Sequence, residues 1–561
     1  MLKAYDNFIK LAIKKLRRDT VSFSELKKNI CFELKLPMPP TNADLREHYE
    51  KLVARKIIQR SPQLEKILMS RKIRTQSGVA VVAVLTKSHP CPGQCLYCPT
   101  EKDMPKSYLS NEPAVMRAIS AKFNPYRQVQ GRLRSLELNG HETDKIELMV
   151  MGGTFSALPK NYQKKFISEC FRACNDYPRH ETWNIKHETN LDLLLSREQK
   201  KNEQTKHRII GLTLETRPDF INKQEILNFR HLGCTRVELG VQSLYNDVLE
   251  INRRGHKIEA TIEATKLLKD AGFKINYHMM PGLLGSSLKK DFLMFQKLFS
   301  SPDFQPDMLK IYPAVVTKNS ALYKLWRQGK YQPLTDTQFK KLILKIKKEA
   351  IPPYVRISRL VRDVPATSIV AGPKISNLRQ LIVPESLCQC IRCREVGSTY
   401  DLKEKIILDR IDYAASDGKE IFLQFVSPDK KKLFALLRLR IPSFICHPEL
   451  VEGSNKLDSS TSSANAESAQ NDNLYNLFPI LKNVALIREV HTYGQLTRID
   501  KYNKNSPQHF GLGKKLMAVA EKIAKKEFKL SKISVISGIG ARGYYRKLGY
   551  SQKDSYMVKS I

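Results

Sequence analysis

His89-Pro-Cys-Pro-Gly-Gln-Cys-Leu-Tyr-Cys-Pro99 is the stretch whose reading decides the fold. Its thiols, Cys91, Cys95 and Cys98, are spaced C-x3-C-x2-C. Three thiolates at that spacing can hold three irons of a 4Fe–4S cluster, leaving the fourth iron open to a small ligand. Zinc is the competing metal, but a structural zinc normally takes four ligands. Three unbonded buried cysteines are the plain alternative, and a turn opened by Pro and Gly argues against it.

Outward from this run, residues 76–385 alternate apolar strands with longer amphipathic stretches. Strands are expected at 79–85, 146–151, 208–214, 236–241, 274–279 and 308–311, with connecting helices such as 258–270. Six strand-then-helix repeats predict an α/β fold containing a partial or full (β/α) barrel, whose chemistry sits at the carboxyl ends of the strands. The cysteine run follows the first strand, where a cofactor loop belongs. Its spacing is the one used by radical S-adenosylmethionine (SAM) enzymes, in which the open iron binds the amino acid end of SAM.

The next strand ends in Met151-Gly152-Gly153-Thr154, where Gly152 and Gly153 let the backbone approach a ligand such as the methionyl part of SAM. Glu215, Arg217 and Asp219, then Glu238, Gln242 and Ser243, end the two strands after it. They offer carboxylate, guanidinium and amide groups to the amino, carboxylate and ribose groups of SAM. Buried ion pairs are the other reading of such residues.

The whole chain has 561 residues, more than one compact core holds, so several domains are expected. Lys and Arg number 95 against 56 Asp and Glu, a net charge of +39, which favours a polyanionic partner, nucleic acid first. Residues 1–75 read as helical and hold 18 of the basic residues against 8 acidic ones, a local excess suited to phosphate contacts. Eleven cysteines, six of them in two tight clusters, suit a reducing cytoplasm with metal sites. The first sixteen residues lack the uncharged apolar core of a signal peptide, and no apolar run reaches membrane-spanning length. A cytoplasmic protein is expected, with no membrane contact.

A second cluster, Cys388, Cys390 and Cys393, closes the barrel region and is expected to hold a zinc, with its fourth ligand open. Cys446 and His447 are the nearest candidates in sequence but border an atypical segment. The segments 1–75, 76–385, 386–400 and 401–561 are therefore read as a basic helical arm, a barrel, a zinc-binding linker and a second α/β domain. Strands of that last domain are expected at 421–426, 433–439, 484–490 and 533–536. Residues 443–475, rich in Ser, Asn, Ala and Asp, are expected to be a disordered, dispensable insertion between two strands. Gln508-His-Phe-Gly511-Leu-Gly513 opens an amphipathic helix whose free N–H groups suit a pyrophosphate. The loop resembles the coenzyme A loop of GNAT-class acetyltransferases. Tyr544 and Tyr545 lie in an expected helix over 543–550, placed to meet an acyl thioester.

Together these stretches resemble, almost throughout, the catalytic third subunit of Elongator in its bacterial and archaeal single-chain form. The carrying residues are Ser77 to Cys91, Ser107-Tyr108 to Pro125-Tyr126, Asp144 to Phe155, Cys390 to Val396, Arg488 to Gly494 and Val535 to Tyr545. The resemblance implies a radical SAM domain and a GNAT-like domain facing one another across a shared site. The implied activity is that of a tRNA uridine acetyltransferase at the wobble position. Cys91, Cys95 and Cys98 are implied cluster ligands. Lys145, Glu489, Val490, His491, Thr492, Leu512, Gly513, Lys514 and Tyr545 are implied acetyl-CoA contacts. The implied chemistry starts with a SAM-derived radical taking a hydrogen from the acetyl methyl. The carbon radical adds to carbon 5 of uridine, and thioester hydrolysis leaves carboxymethyluridine. An electron donor is required; a homodimer or Elongator-like partners are left open. Competing expectations are a protein lysine acetyltransferase with a structural cluster and a non-catalytic tRNA-binding scaffold.

Overall fold

The computed structural model describes residues 2–16, 23–36, 40–68, 78–178, 190–382, 385, 387–397, 401, 404–442, 445, 476–494 and 511–561. Seven parallel strands in sequential order form the first sheet: β1 (Ala80–Leu85), β2 (Lys145–Met151), β3 (Arg208–Thr216), β4 (Arg236–Gln242), β5 (Lys274–Met279), β6 (Met308–Ile311) and β7 (Arg356–Arg359). Among the described residues no pairing closes β7 onto β1, so the barrel they form is partial. The expected strands are all present, and β7 is additional.

Alternation sets the two faces of this sheet. In β2, Ile146, Leu148 and Val150 are buried against the outer helices, while Lys145, Glu147, Met149 and Met151 face the lumen and are half-buried. The lumen is charged rather than apolar. Arg236 pairs with Glu147 at 2.9 Å, and Thr213 donates to the same carboxylate at 2.6 Å.

The second sheet runs in the spatial order β13 (Ser551–Lys553), β14 (Tyr556–Ser560), β12 (Lys532–Val535), β11 (Ala485–Thr492), β10 (Leu433–Ile441), β9 (Gly418–Val426), β8 (Ile407–Ala415). Only β11 and β12 pair in parallel, and only from Ala485↔Ile533 to Ile487↔Val535. The helix Leu512–Lys526 connects them and buries Leu512, Leu516, Ala520 and Ile523. The helix expected over 543–550 is shorter, Arg542–Arg546. Residues 443–475 separate the antiparallel pair β10 and β11. Apart from Ile445 they lie outside the described residues, as do Cys446, His447 and residues 508–510.

This sheet packs on the amino ends of the barrel strands through buried charge. Arg488, fully buried, donates to Asp307 just before β6 and to the Phe273 carbonyl just before β5. It also pairs with Glu420 at 2.9 Å. Arg440 meets Asp270 at 2.7 Å, and Arg438 meets Glu489 at 2.9 Å.

The amino-terminal helices Leu2–Leu16, Phe23–Glu33, Asn42–Ala54 and Pro62–Leu68 bury a core of their own, including Phe8, Ile30, Tyr49 and Leu64. Thr41 and Asp44 form a capping box that fixes the start of the third. Lys10, Lys14, Lys28, Lys51, Arg55 and Lys56 are exposed on this bundle. Among the described residues no helix is long and apolar enough to cross a membrane.

Candidate active site

The loop after β1 carries Cys91, Cys95 and Cys98 over the carboxyl ends of the strands, where they line a cavity of about 190 Å³. Cys95 and Cys98 are hydrogen-bonded to each other. The hydrogen bond from Cys98, helped by Arg254, pulls Cys95 down to about 4 against its burial, while Cys98 is pushed well up. Arg254 Nη1 lies 3.5 Å from Cys95 Sγ, and the Gly93 N–H donates to Cys91 Sγ at 3.4 Å. A thiol that ionises this readily, as Cys95 does beside the buried Arg254 guanidinium, suits metal ligation.

The glycine pair after β2 has the backbone that was expected to need glycine. Gly152 and Gly153 have φ of +139° and +90°, and a Cβ at Gly152 would sit 2.0 Å from Thr86 Oγ1. Gly153 lines the cavity. Gln242 ends β4 with φ of +70°, and its buried Oε1 has no hydrogen-bond partner among the described residues. Arg217 is clamped to Asp219 by two bonds of 2.9 and 2.8 Å, leaving Nη1 buried without a hydrogen-bond partner among the described residues. The buried ion pair is present, and Nη1 remains a spare donor on the same side chain.

Four lining groups were not among the expected site residues. Tyr108 donates to Glu215 at 2.7 Å; Lys310 pairs with Glu238; His278 Nε2 meets Glu238 at 2.8 Å; Arg254 supports Cys95. Glu238, named above for SAM, lines the same cavity, bonded to Lys310 and His278. Inward-facing positions at successive strand ends are the signal that could have found His278 and Lys310, whereas Tyr108 and Arg254 lie in connecting segments.

The implied acetyl-CoA residues lie at the opposite end of the strands. Glu489 reaches Lys274, the first residue of β5, at 3.4 Å. Lys145 begins β2 and pairs in register with Arg208, whose backbone passes beneath Gly540. Val490, His491 and Thr492 end β11, and Leu512, Gly513 and Lys514 begin the helix. Thr492 Cγ2 and Tyr544 Oη would stand 3.6 and 3.1 Å from a Cβ at Gly513. Tyr545 is buried, its ring 5.2 Å from that of Tyr544, and burial, then Tyr544 and Glu489, push its hydroxyl up. Lys145 and Glu489 thus lie at the amino ends of the barrel strands, and the cysteines at the carboxyl ends. β2 has seven residues, about 20 Å at the usual rise, and the charged lumen lies between.

The Sγ atoms of Cys388, Cys390 and Cys393 lie within 4.8 Å of one another. Hydrogen bonds from Cys388 and Cys393 hold Cys390 well below the usual thiol range. Lys347 Nζ is 3.5 Å from Cys393 Sγ. The segment bridges the sheets: the Ile391 N–H bonds the Val355 carbonyl and the Val396 N–H bonds the Leu433 carbonyl, at 2.9 and 3.0 Å.

The family model described as "Radical SAM superfamily" matches residues 87–294, and "Radical_SAM C-terminal domain" matches 306–387. The chain is 43% identical over 513 residues to the tRNA uridine(34) acetyltransferase of Methanocaldococcus infernus, covering 88% of each chain. It is 42% identical to that of Dehalococcoides mccartyi, covering 88% of this chain and all (100%) of the relative. Elongator complex protein 3 of Homo sapiens is 37% identical, with 89% and 88% covered. The solved archaeal Methanocaldococcus infernus Elp3 with an N-terminal deletion superposes at a TM-score of 0.67, with 40% identity, over 86% of this chain and 100% of that one. The convergent thiols, the partial barrel and relatives matched along nearly their whole length give one conclusion: the chain belongs to the radical SAM family of tRNA uridine(34) acetyltransferases and Elongator complex protein 3.

Proposed function

We propose that the protein attaches an acetyl-derived carboxymethyl group to carbon 5 of uridine 34 in tRNA, with acetyl-CoA as the carbon source. The single observation that carries this is the thiol trio Cys91, Cys95 and Cys98 opening on one cavity, in a chain 43% identical to a relative named for that activity. The family implies a 4Fe–4S cluster and SAM, and the residues present fit them. Three sulfurs converge on the cavity, Cys95 favours the thiolate, and the partnerless atoms Arg217 Nη1 and Gln242 Oε1 belong to side chains lining the same space. When bound, the group supplies a radical able to take hydrogen from an unactivated carbon. The chain's own part is to hold SAM by Gly152, Gly153 and Gln242, and to keep water away with Tyr97, Tyr108 and the strand ends.

The second sheet supports a GNAT-like acetyl-CoA site. Pairing of β11 with β12 stops at Ile487, and the helix between them begins at Leu512 beside Thr492 and Tyr544. Strands that part there leave N–H groups and the start of a fifteen-residue helix for the thioester and pyrophosphate. In this reading acetyl-CoA enters from the amino ends of the barrel strands and the nucleoside from the carboxyl ends. Zinc at Cys388, Cys390 and Cys393 is part of the same proposal and ties the two sheets together. The exposed lysines and arginines of residues 1–75 would contact the tRNA backbone.

The test is an anaerobic assay of reconstituted protein with a reductant, SAM, acetyl-CoA and bulk tRNA, read by nucleoside mass analysis. Carboxymethyluridine is expected from the wild type. Cys95→Ala should lose the cluster absorption and all product while still binding tRNA. Product from that variant, or none from the wild type, contradicts the proposal.

A further inference from the structure

The cavity holds a second constellation, apart from the thiols and from Gly152, Gly153 and Gln242. Glu238, fully buried, accepts from His278 Nε2 at 2.8 Å and from Asn276 at 3.0 Å, and it pairs with Lys310. Burial alone would raise the Glu238 carboxyl, but Lys310 and His278 hold it well below the carboxylate range, so it stays charged. A carboxylate on Nε2 fixes the proton there and leaves the Nδ1 lone pair free. Nδ1 has no hydrogen-bond partner among the described residues, and His278 lines the cavity with its ring set edge-on to Tyr312 at 5.6 Å.

Donor atoms of Glu215, Glu238 and His278 lie within 4.8 Å of one another, close enough to suggest a cation site. Lys310 already fills that role: its ammonium contacts Glu238 and lies 3.9 Å from Glu215. What remains is a base oriented by a carboxylate, with a buried ammonium alongside. That arrangement activates water against an acyl group and stabilises the oxyanion that results.

We propose that His278, positioned by Glu238, is the general base that hydrolyses the thioester still joining the newly attached two-carbon group to coenzyme A. The proposal deepens the function above and rests on it. Water attacks the thioester carbonyl carbon as its proton moves to His278 Nδ1. The carbon–sulfur bond breaks, the proton passes to the departing thiolate, and the carboxyl group remains on the uridine. No electron is gained or lost in this step. Lys310 faces the oxygen that becomes negative.

The experiment uses the full chain with its cluster reconstituted, wild type beside His278→Asn, His278→Gln and Glu238→Gln. Both His278 variants should still form 5′-deoxyadenosine and keep the cluster absorption. Their carboxymethyluridine should fall by about 100-fold or more. A uridine carrying the intact coenzyme A thioester should accumulate on the tRNA and release coenzyme A on hydroxylamine treatment. Glu238→Gln should give the same adduct with a smaller loss of product. Undiminished carboxymethyluridine from both His278 variants overturns the proposal. So does 5′-deoxyadenosine formation with neither product nor adduct. Absence of modified uridine from the wild type is a different failure, that of the function itself.

Discussion

Glu489 sits where the two sheets meet, its side chain only 14% exposed. Burial alone would raise its carboxyl, but Lys274, Arg438 and His491 outweigh burial and hold it at about 2. A folded value below the unfolded one makes the ionised form stabilising. The contribution is complete above about pH 4.5 and is lost as the pH falls through 2. The gap corresponds to about 3 kcal/mol. Glu489→Gln should therefore cost about 3 kcal/mol at pH 7 in denaturant unfolding, and the difference from the wild type should shrink to nothing as pH approaches 2. A difference independent of pH would show that Glu489 carries no such charge-dependent stability. The cysteines were legible at this scale because all three lie within one turn, so spacing alone fixes their proximity. His278 and Lys310 were not, because they come from distant segments and meet only once the strands align.

At the scale of elements, long apolar strands were readable and short polar ones were not. Arg-Ile-Ser-Arg, the four residues of β7, offers a single apolar position, so periodicity has nothing to detect. β8 alternates regularly but is half exposed, and β13 is three exposed residues. Their strand character comes from a neighbour's hydrogen bonds. The turn after β12 illustrates a constraint that pattern cannot reveal. Gly538 has an ordinary φ of −67°, yet a Cβ there would lie 2.0 Å from the Ile210 carbonyl oxygen of β3. Glycine is required by closeness between the sheets. Gly538→Ala should lower stability by about 1–3 kcal/mol, seen as a lower melting temperature. An unchanged melting temperature would mean the two backbones are not in contact.

At the scale of the whole molecule, the two sheets are joined by buried ion pairs. Arg488, Arg438 and Arg440 are each nearly inaccessible and are matched by Asp307, Glu420, Glu489 and Asp270. Such pairs add little net stability over apolar packing, but removing one partner strands a buried charge. Arg488→Met leaves Asp307 and Glu420 without their shared guanidinium and should cost about 3–5 kcal/mol in denaturant unfolding. A loss below about 1 kcal/mol would show the network to be solvated. This interface also puts Lys145 and Glu489 at the amino ends of the strands, with the thiols beyond their carboxyl ends; the seven residues of β2 alone span about 20 Å.

By itself the sequence determined the cluster-type thiol spacing, the repeating strand and helix order, the glycine loop of the second sheet and the basic amino-terminal arm. Each is local: covalent spacing, apolar periodicity and backbone freedom are properties of contiguous residues. Only the tertiary structure decided which ends of the barrel strands the second sheet covers, how charge fills the lumen, and that His278, Glu238 and Lys310 converge beneath the thiols. Those depend on strand register and on which side chains turn inward, and register joins residues tens to hundreds of positions apart.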